Sequence, residues 1–334
     1  VLEVLGGEDN EFVAVTLSNM GGILVKQRRY AEAERLQQKA LSILDKLFDE
    51  PHQYVLGAMS NLAEALRGSG ALKQAEETYR EVLALSEVLY GDVHAAVADC
   101  LSDLASVLQD ERKGAEAESL YLQALRILTT LSVAEGAEHA RIYGGLANVQ
   151  SYRGEYDEAE SLYRRALGIQ RKLLAPGDRD LVGSLGNLGG LLVERARYSE
   201  ADILYNEALE TLREFPDQEL LLAVTENVAN LRAKQGDYNA AEPLYRKALS
   251  LSIQAHGRQH RRTALCMKNL AHVLVNQGDG FSAEPLYYEA LDIERELTGD
   301  QSPEVATTLE GLAVLHETRR EYEEAERLHR EALA

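Results

Sequence analysis

Along this chain the apolar positions recur at intervals of three and four. Leu56, Met59, Leu62, Ala63 and Leu66 form one such run, and that spacing puts them on a single face of an amphipathic helix. The run is followed after a short break by a second one of the same kind. Gly70, Gly154, Gly236 and Gly278 sit in the breaks inside these pairs, while Gly91-Asp92, Pro176-Gly177-Asp178, Pro216-Asp217 and Gly299-Asp300 sit between pairs. Glycine and proline in those places interrupt helices, so the pattern predicts helix, tight turn, helix and loop, many times over.

The wording repeats as well as the periodicity. The motif Ala-acid-x-x-aromatic-x-x-Ala-Leu, with substitutions, begins at Ala33, Ala75, Ala117, Ala159, Ala201, Ala241, Ala283 and Ala325, at spacings of 42 residues with a single spacing of 40. The two-residue deletion falls near Phe215-Pro216-Asp217, in a loop, where a change of length costs little. Fourteen residues before each of these alanines stands a second landmark: Asn19-Met20-Gly21, Asn61-Leu62-Ala63, Asp103-Leu104-Ala105, Gly145-Leu146-Ala147, Asn187-Leu188-Gly189, Asn227-Val228-Ala229, Asn269-Leu270-Ala271 and Gly311-Leu312-Ala313. Its third residue is always small, which lets two helices approach closely. The expected fold is all-α: an α-α superhelix, or solenoid, of about eight helix-turn-helix repeats spanning roughly 11–50, 53–92, 95–134, 137–176, 179–216, 219–258, 261–300 and 303–334 as one domain. The register places residues 1–8 at the tail of a preceding repeat. A solenoid ordinarily carries polar caps at both ends, so the expectation is a fragment of a longer array.

The small residue, the alanines and the aromatic position, in this order, resemble the tetratricopeptide repeat. The 42-residue period, the loop Gly299-Asp300-Gln301-Ser302-Pro303-Glu304-Val305-Ala306 and the turn Gly236-Asp237-Tyr238-Asn239-Ala240-Ala241-Glu242-Pro243-Leu244-Tyr245 are similar to the kinesin light chain type. The resemblance implies a concave face lined by the first helix of each repeat, with the landmark Asn contacting the backbone of a ligand peptide. Carried over residue by residue, that role falls on Asn19, Asn61, Asn187, Asn227 and Asn269. It does not fall on Asp103, Gly145 or Gly311.

Composition removes several alternatives. Thirty-five Lys and Arg against 55 Asp and Glu give a net charge of −20, which disfavours nucleic acid and anionic membranes as partners. No apolar stretch approaches the length of a membrane span. The sequence has no Gly-x4-Gly-Lys-Ser/Thr loop, no His-Glu-x-x-His and no Cys-x-x-Cys, so neither an enzyme nor a bound cofactor or metal is expected. His256 and His260 have helical spacing, yet neighbouring Arg258, Arg261 and Arg262 would repel a dication. Cys100 and Cys266 hold the same apolar register four repeats apart and read as buried thiols, weakly favouring a reducing compartment. Cytoplasmic localisation is the default. The tyrosines at 79, 121, 163, 205, 245 and 287 share one register and read as core.

Two local features stand out against this uniform background. Residues 229–270 carry eight cations against Asp237 and Glu242, a net +6, whereas repeats two and three present Glu64, Asp99, Asp103 and Asp110. With Asn230, Lys234, Lys268, His272 and Asn276 on the same face and Arg258, Arg261 and Arg262 as a basic rim, the C-terminal half is expected to attract an acidic or phosphorylated ligand. The other feature is glycine. Gly183, Gly186 and Gly190, with Gly144 and Gly145 one repeat earlier, leave a predicted trough where a ligand can approach the backbone. The function expected from all of this is a non-catalytic scaffold that holds a peptide or partner segment, in the manner of a kinesin light chain-like adaptor. The alternative is the regulatory or sensor region of a larger multidomain signalling enzyme or ATPase.

Overall fold

A computed structural model describes residues 10–175 and 177–333. The segment 1–8, assigned above to a preceding repeat, lies outside them. Sixteen α-helices and no strand occur among the described residues, in eight consecutive pairs: α1 (Glu11–Lys26) and α2 (Tyr30–Leu47), α3 (Gln53–Ser69) and α4 (Leu72–Tyr90), α5 (Ala95–Asp110) and α6 (Gly114–Thr130), α7 (Ala137–Arg153) and α8 (Tyr156–Leu173), α9 (Arg179–Glu194) and α10 (Tyr198–Glu214), α11 (Gln218–Lys234) and α12 (Tyr238–His256), α13 (Arg261–Asn276) and α14 (Gly280–Thr298), α15 (Pro303–Thr318) and α16 (Tyr322–Ala332). Two compact units, Val1–Leu173 and Leu174–Ala334, each hold four pairs. Within a unit every helix packs on the next, and α1 on α3, α5 on α7, α9 on α11 and α13 on α15 make first-helix contacts.

The helix boundaries follow local chemistry. Every first helix except α7, which starts at Gly136, begins at a side chain that accepts a hydrogen bond from the exposed amides of the first turn: Asn10 takes Val13 N–H at 3.0 Å, Asp217 takes Leu220 N–H at 3.0 Å, and Ser302 takes Val305 N–H at 3.2 Å. Three histidines do the same through Nδ1: His52 to Tyr54, His94 to Ala96 and His260 to Arg262. His260 is therefore a helix cap, with its ring stacked on His256 at 4.4 Å. No group of three or more metal-ligating side chains occurs among the described residues. Each first helix ends at a residue in the left-handed region. Gly70, Gly154, Gly236 and Gly278 hold that place in four repeats, and Arg28, Arg112, Ala196 and Arg320 hold it in the others with φ between 56° and 63°. The tight turn is thus kept even where glycine, the residue that suits it best, is absent.

The core is built on small residues facing rings. Ala63, Ala105, Ala147, Ala229, Ala271 and Ala313 are buried, as are Tyr79, Tyr121, Tyr163, Tyr205, Tyr245 and Tyr287. Each ring needs an acceptor or donor for its hydroxyl, and several find one fifteen residues back on the first helix. Tyr79 donates to Glu64 at 3.0 Å, Tyr121 pairs with Ser106 at 3.0 Å, and Tyr163 and Tyr245 donate to Asn148 and Asn230. Both thiols are buried and unbridged. Burial pushes Cys100 up to about 11, and burial together with the carboxylate of Glu226 pushes Cys266 up to about 12. No helix among the described residues is long and apolar enough to cross a membrane.

Candidate functional site

The landmark asparagines lie on first helices, as the resemblance implied, but in different states. Asn61 on α3 donates to Ser18 Oγ on α1 at 3.2 Å, so part of its capacity is spent between repeats. Asn19 and Asn187 are exposed, Asn227 and Asn269 half-buried, and none of these four has a hydrogen-bond partner among the described residues. Three of them, Asn187 on α9, Asn227 on α11 and Asn269 on α13, belong to the second unit. Each carries a carbonyl and an amide group with no partner in the protein, a pair able to accept from and donate to an extended backbone.

The glycines divide into two kinds. A Cβ on Gly144 or Gly183 would meet nothing within 4 Å, one on Gly186 would stand 3.4 Å from the amide of Asn227, and one on Gly190 would lie 3.9 Å from the hydroxyl of Tyr205. Gly186 is buried beside the Asn227 side chain, whereas Gly144, Gly183 and Gly190 do leave backbone uncovered. Gly145 does not: the place of its Cβ is taken by the ring of Tyr121 from the preceding repeat, just as Tyr287 takes that of Gly311. Gly145 is a packing glycine and leaves the expected trough. Gly144 and Gly145 stand in the first unit, and Gly183, Gly186 and Gly190 in the second.

The basic surface expected in the C-terminal half is neutralised except at exposed Lys247. Of the eight cations counted within 229–270, six pair with carboxylates that lie outside that stretch of sequence. Arg232 bonds Asp202 at 2.6 Å, Lys234 faces Glu194 at 3.4 Å, Arg258 faces Glu289, Arg261 faces Glu304, Arg262 faces Glu226, and Lys268 bonds Glu294 at 2.7 Å. Arg246 pairs with Glu242 one turn away, at 2.8 Å. A linear count sees the cations of one segment, while solvent and ligand see the pairs. The electrostatic reason for preferring an acidic or phosphorylated ligand falls away with them. Among the other residues placed on this face, Asn230 accepts from Tyr245, and Asn276 donates to the carbonyl of His272 at 2.8 Å and approaches its Nε2 at 3.3 Å.

Lys268 is the largest departure from expectation. Its side chain is 12% exposed and that of Glu294 is 4% exposed. The second Glu294 oxygen accepts from Thr308 Oγ1 at 2.5 Å, so the pair joins α13, α14 and α15. A parallel group joins α11 to α13, where buried Glu226 accepts from Arg262 and, at 3.1 Å, from the Cys266 thiol. Neither Glu226 nor Glu294 was singled out in the sequence. Aligning the repeats would have found Glu294, a carboxylate at a register held elsewhere by Leu44, Ser86, Leu128, Gln170, Leu212 and Ser252, but not Glu226, whose register also carries Lys268 and Glu310.

The acidic residues of repeats two and three are likewise engaged. Arg67 bonds Asp110 at 2.7 Å and approaches Glu64 at 4.0 Å. Arg141 bonds Glu138 at 2.8 Å, pairs with Asp103 and donates to the Asp99 carbonyl at 3.3 Å. Burial, with Asp99 nearby, outweighs the arginine and pushes Glu138 up to about 7 from an ordinary 4.5. The folded state therefore holds a proton on Glu138 over a range in which the unfolded chain has lost it. Stability from this group is present at low pH and disappears as pH rises from about 4.5 to about 7. In urea titrations across that range, the unfolding free energy of Glu138→Gln should gain on wild type as pH rises and then level off. A pH-independent difference would contradict the assignment.

Stacked helix pairs, a small-residue and tyrosine core, and first helices bearing unpartnered amide side chains define the class: a helical repeat scaffold. The chain belongs to the tetratricopeptide repeat family, whose model matches residues 12–87, 54–130, 138–214, 220–279 and 265–334. A search of curated protein sequences finds no match. Among solved structures, the chain is similar to BtubC (BKLC) from P. vanneervenii, at 24% identity over 69% of this chain and 91% of that one, TM-score 0.54. It is also similar to a Rap protein complexed with Competence and Sporulation Factor, at 16% identity over 96% of each chain, TM-score 0.69. A third is the STAND protein with a tetratricopeptide repeat sensor, PH0952, from Pyrococcus horikoshii, at 17% identity over 96% of this chain and 47% of that one, TM-score 0.68. At these identities the likeness is one of fold.

Proposed function

We propose that the chain is a non-catalytic interaction scaffold that captures an extended peptide or partner segment along the first helices of its second unit. The observation that carries this is the row Asn187, Asn227 and Asn269, three amide side chains without partners among the described residues on α9, α11 and α13. Gly183 beside them leaves room for a ligand main chain to approach. Recognition in this reading rests on hydrogen bonds to the ligand backbone and on apolar contact, because the nearby cations are neutralised. A preformed surface suits this task, since the ordering cost then falls on the ligand alone. The fold is put to related use elsewhere: the Rap protein was solved with a bound factor, and the repeats of the archaeal STAND protein are described as a sensor. The second of these supports the alternative in which this array is the sensing part of a larger signalling protein. Buried, unbridged thiols suit the cytoplasm.

The test is fluorescence-anisotropy titration of labelled extended peptides of mixed sequence against wild type and the triple variant Asn187→Ala/Asn227→Ala/Asn269→Ala. At about 0.5–1.5 kcal/mol for each hydrogen-bonding side chain removed, the triple variant should bind roughly 10- to 1000-fold more weakly while keeping its helical content. Equal binding by both proteins would remove the asparagine row as the site.

A further inference from the structure

One register of the repeat holds a ring in five of the eight repeats. The first residue of the second helix is Tyr30, Leu72, Gly114, Tyr156, Tyr198, Tyr238, Gly280 and Tyr322 in successive repeats. Where the ring lies within a unit it covers the end of the next first helix. Tyr30 lies against Gly68, occupying the place a Cβ there would take; the Tyr198 hydroxyl donates to the carbonyl of Lys234 at 3.4 Å, and Tyr238 packs on the cluster that contains Leu270 and Leu274. Two repeats lack the side chain. At Gly280 the gap is narrowed from the opposite wall, because Leu315 Cδ1 stands 2.7 Å from where a Cβ would be, and a smaller cleft of about 520 Å3 remains. At Gly114 the residue in the place of Leu315 is the shorter Val149, whose Cγ1 stands 3.7 Å from that point. The space there is wider, a cleft of about 740 Å3 in the first unit, lined by Gln109, Asp110, Arg112, Gly114, Val149 and Tyr152 among others.

The charges at the mouth of this cleft are unequal. Asp110 is bonded to Arg67 at 2.7 Å, and Arg153, which also lines the cleft, to Glu118 at 2.7 Å. Arg112 is exposed and forms no ion pair among the described residues. Tyr152, in the place that Gly68 holds beneath Tyr30, is 87% exposed. We infer that the cleft between α6 and α7 receives an aromatic side chain from a partner polypeptide, a tyrosine or phenylalanine with a carboxylate beside it for Arg112. The protein itself fills the same place with its own tyrosine at Tyr30, Tyr198 and Tyr238. The charge argument comes from a lone guanidinium, whose planar donors suit a carboxylate. This site is separate from the asparagine row, and the two stand or fall independently.

The experiment is methyl NMR of the full chain, following Val149 during titration with 3-(4-hydroxyphenyl)propionate, which carries both the ring and the carboxylate. The Val149 methyls should shift saturably in wild type. They should stay unmoved in Gly114→Tyr, which places the array's own ring in the cleft, and Arg112→Gln should weaken binding of the acid several-fold while leaving that of the corresponding amide unchanged. Should Gly114→Tyr fail to fold, Val149→Phe, followed through the Ala115 methyl, fills the space from the opposite wall. No response in wild type up to the solubility of the probe would overturn the inference, as would an equal response in the filled variants. A ring-current shift on Val149 in the free protein that vanishes in Tyr152→Ala would overturn it too, because Tyr152 would then be the occupant.

Discussion

Lys268→Met should lower the unfolding free energy by about 3–5 kcal/mol, the usual cost of leaving one partner of a buried ion pair without the other. The stranded group is Glu294, buried between helices and bonded otherwise only to Thr308. The double variant Lys268→Met/Glu294→Leu should recover most of that loss, since an apolar pair of similar volume is often as good as a buried ionic one. Thr308 would not be orphaned by the change, as its single hydroxyl proton can turn to the carbonyl of Glu304, 3.0 Å away. Urea denaturation of the three proteins, with peptide binding measured alongside, decides what Lys268 does. A single variant as stable as wild type that has nevertheless lost peptide binding would return Lys268 to the role of ligand contact.

Gly145→Leu and Gly144→Leu should behave in opposite ways, although the two residues are neighbours on α7. A side chain at Gly145 must displace Tyr121, a ring buried in the core of the first unit. The loss should approach that of removing the ring, about 3–5 kcal/mol. A side chain at Gly144 enters open space and replaces the least favourable non-proline helix residue, so stability should hold or rise by up to about 1 kcal/mol. Thermal unfolding of the two variants is the check. Similar destabilisation by both would mean that α7 tolerates no side chain on this face and that the distinction between the two glycines is wrong.

These two predictions mark where the sequence was legible and where it was not. The architecture could be read because each repeat carries its own local code: apolar spacing, a small residue for close approach, a buried tyrosine and a turn. Ion pairs one helical turn apart are as local: Glu160 with Arg164, Glu242 with Arg246 and Glu326 with Arg330 each meet at i,i+4 spacing. Contacts between helices are another matter. Lys268 meets Glu294 across 26 positions and Arg262 meets Glu226 across 36, and no periodicity within one helix reports either. The same holds for Gly145, whose neighbour Tyr121 comes from the previous repeat. Asn230 shows the intermediate case. It shares a face with the landmark asparagines, yet a tyrosine hydroxyl fifteen residues later in the same repeat uses its side chain.

The histidines and the left-handed turns carry a related lesson. His260 invited attention as half of an i,i+4 pair, and its role is to cap α13. Arg28, Arg112, Ala196 and Arg320 take a backbone conformation that single-residue preference would deny them, because the packed helix pair fixes the turn. In both cases tertiary structure decides the use of a residue whose type alone suggests something else.

Hydrogen exchange with and without a captured peptide tests the central claim most directly, because it reports where the ligand lies without assuming which side chains hold it. The account predicts slowed exchange centred on the first helices of the second unit, around residues 183–190, 224–230 and 265–272, with the second helices α10, α12 and α14 unchanged. Protection confined to the second helices, or to the first unit alone, would contradict it.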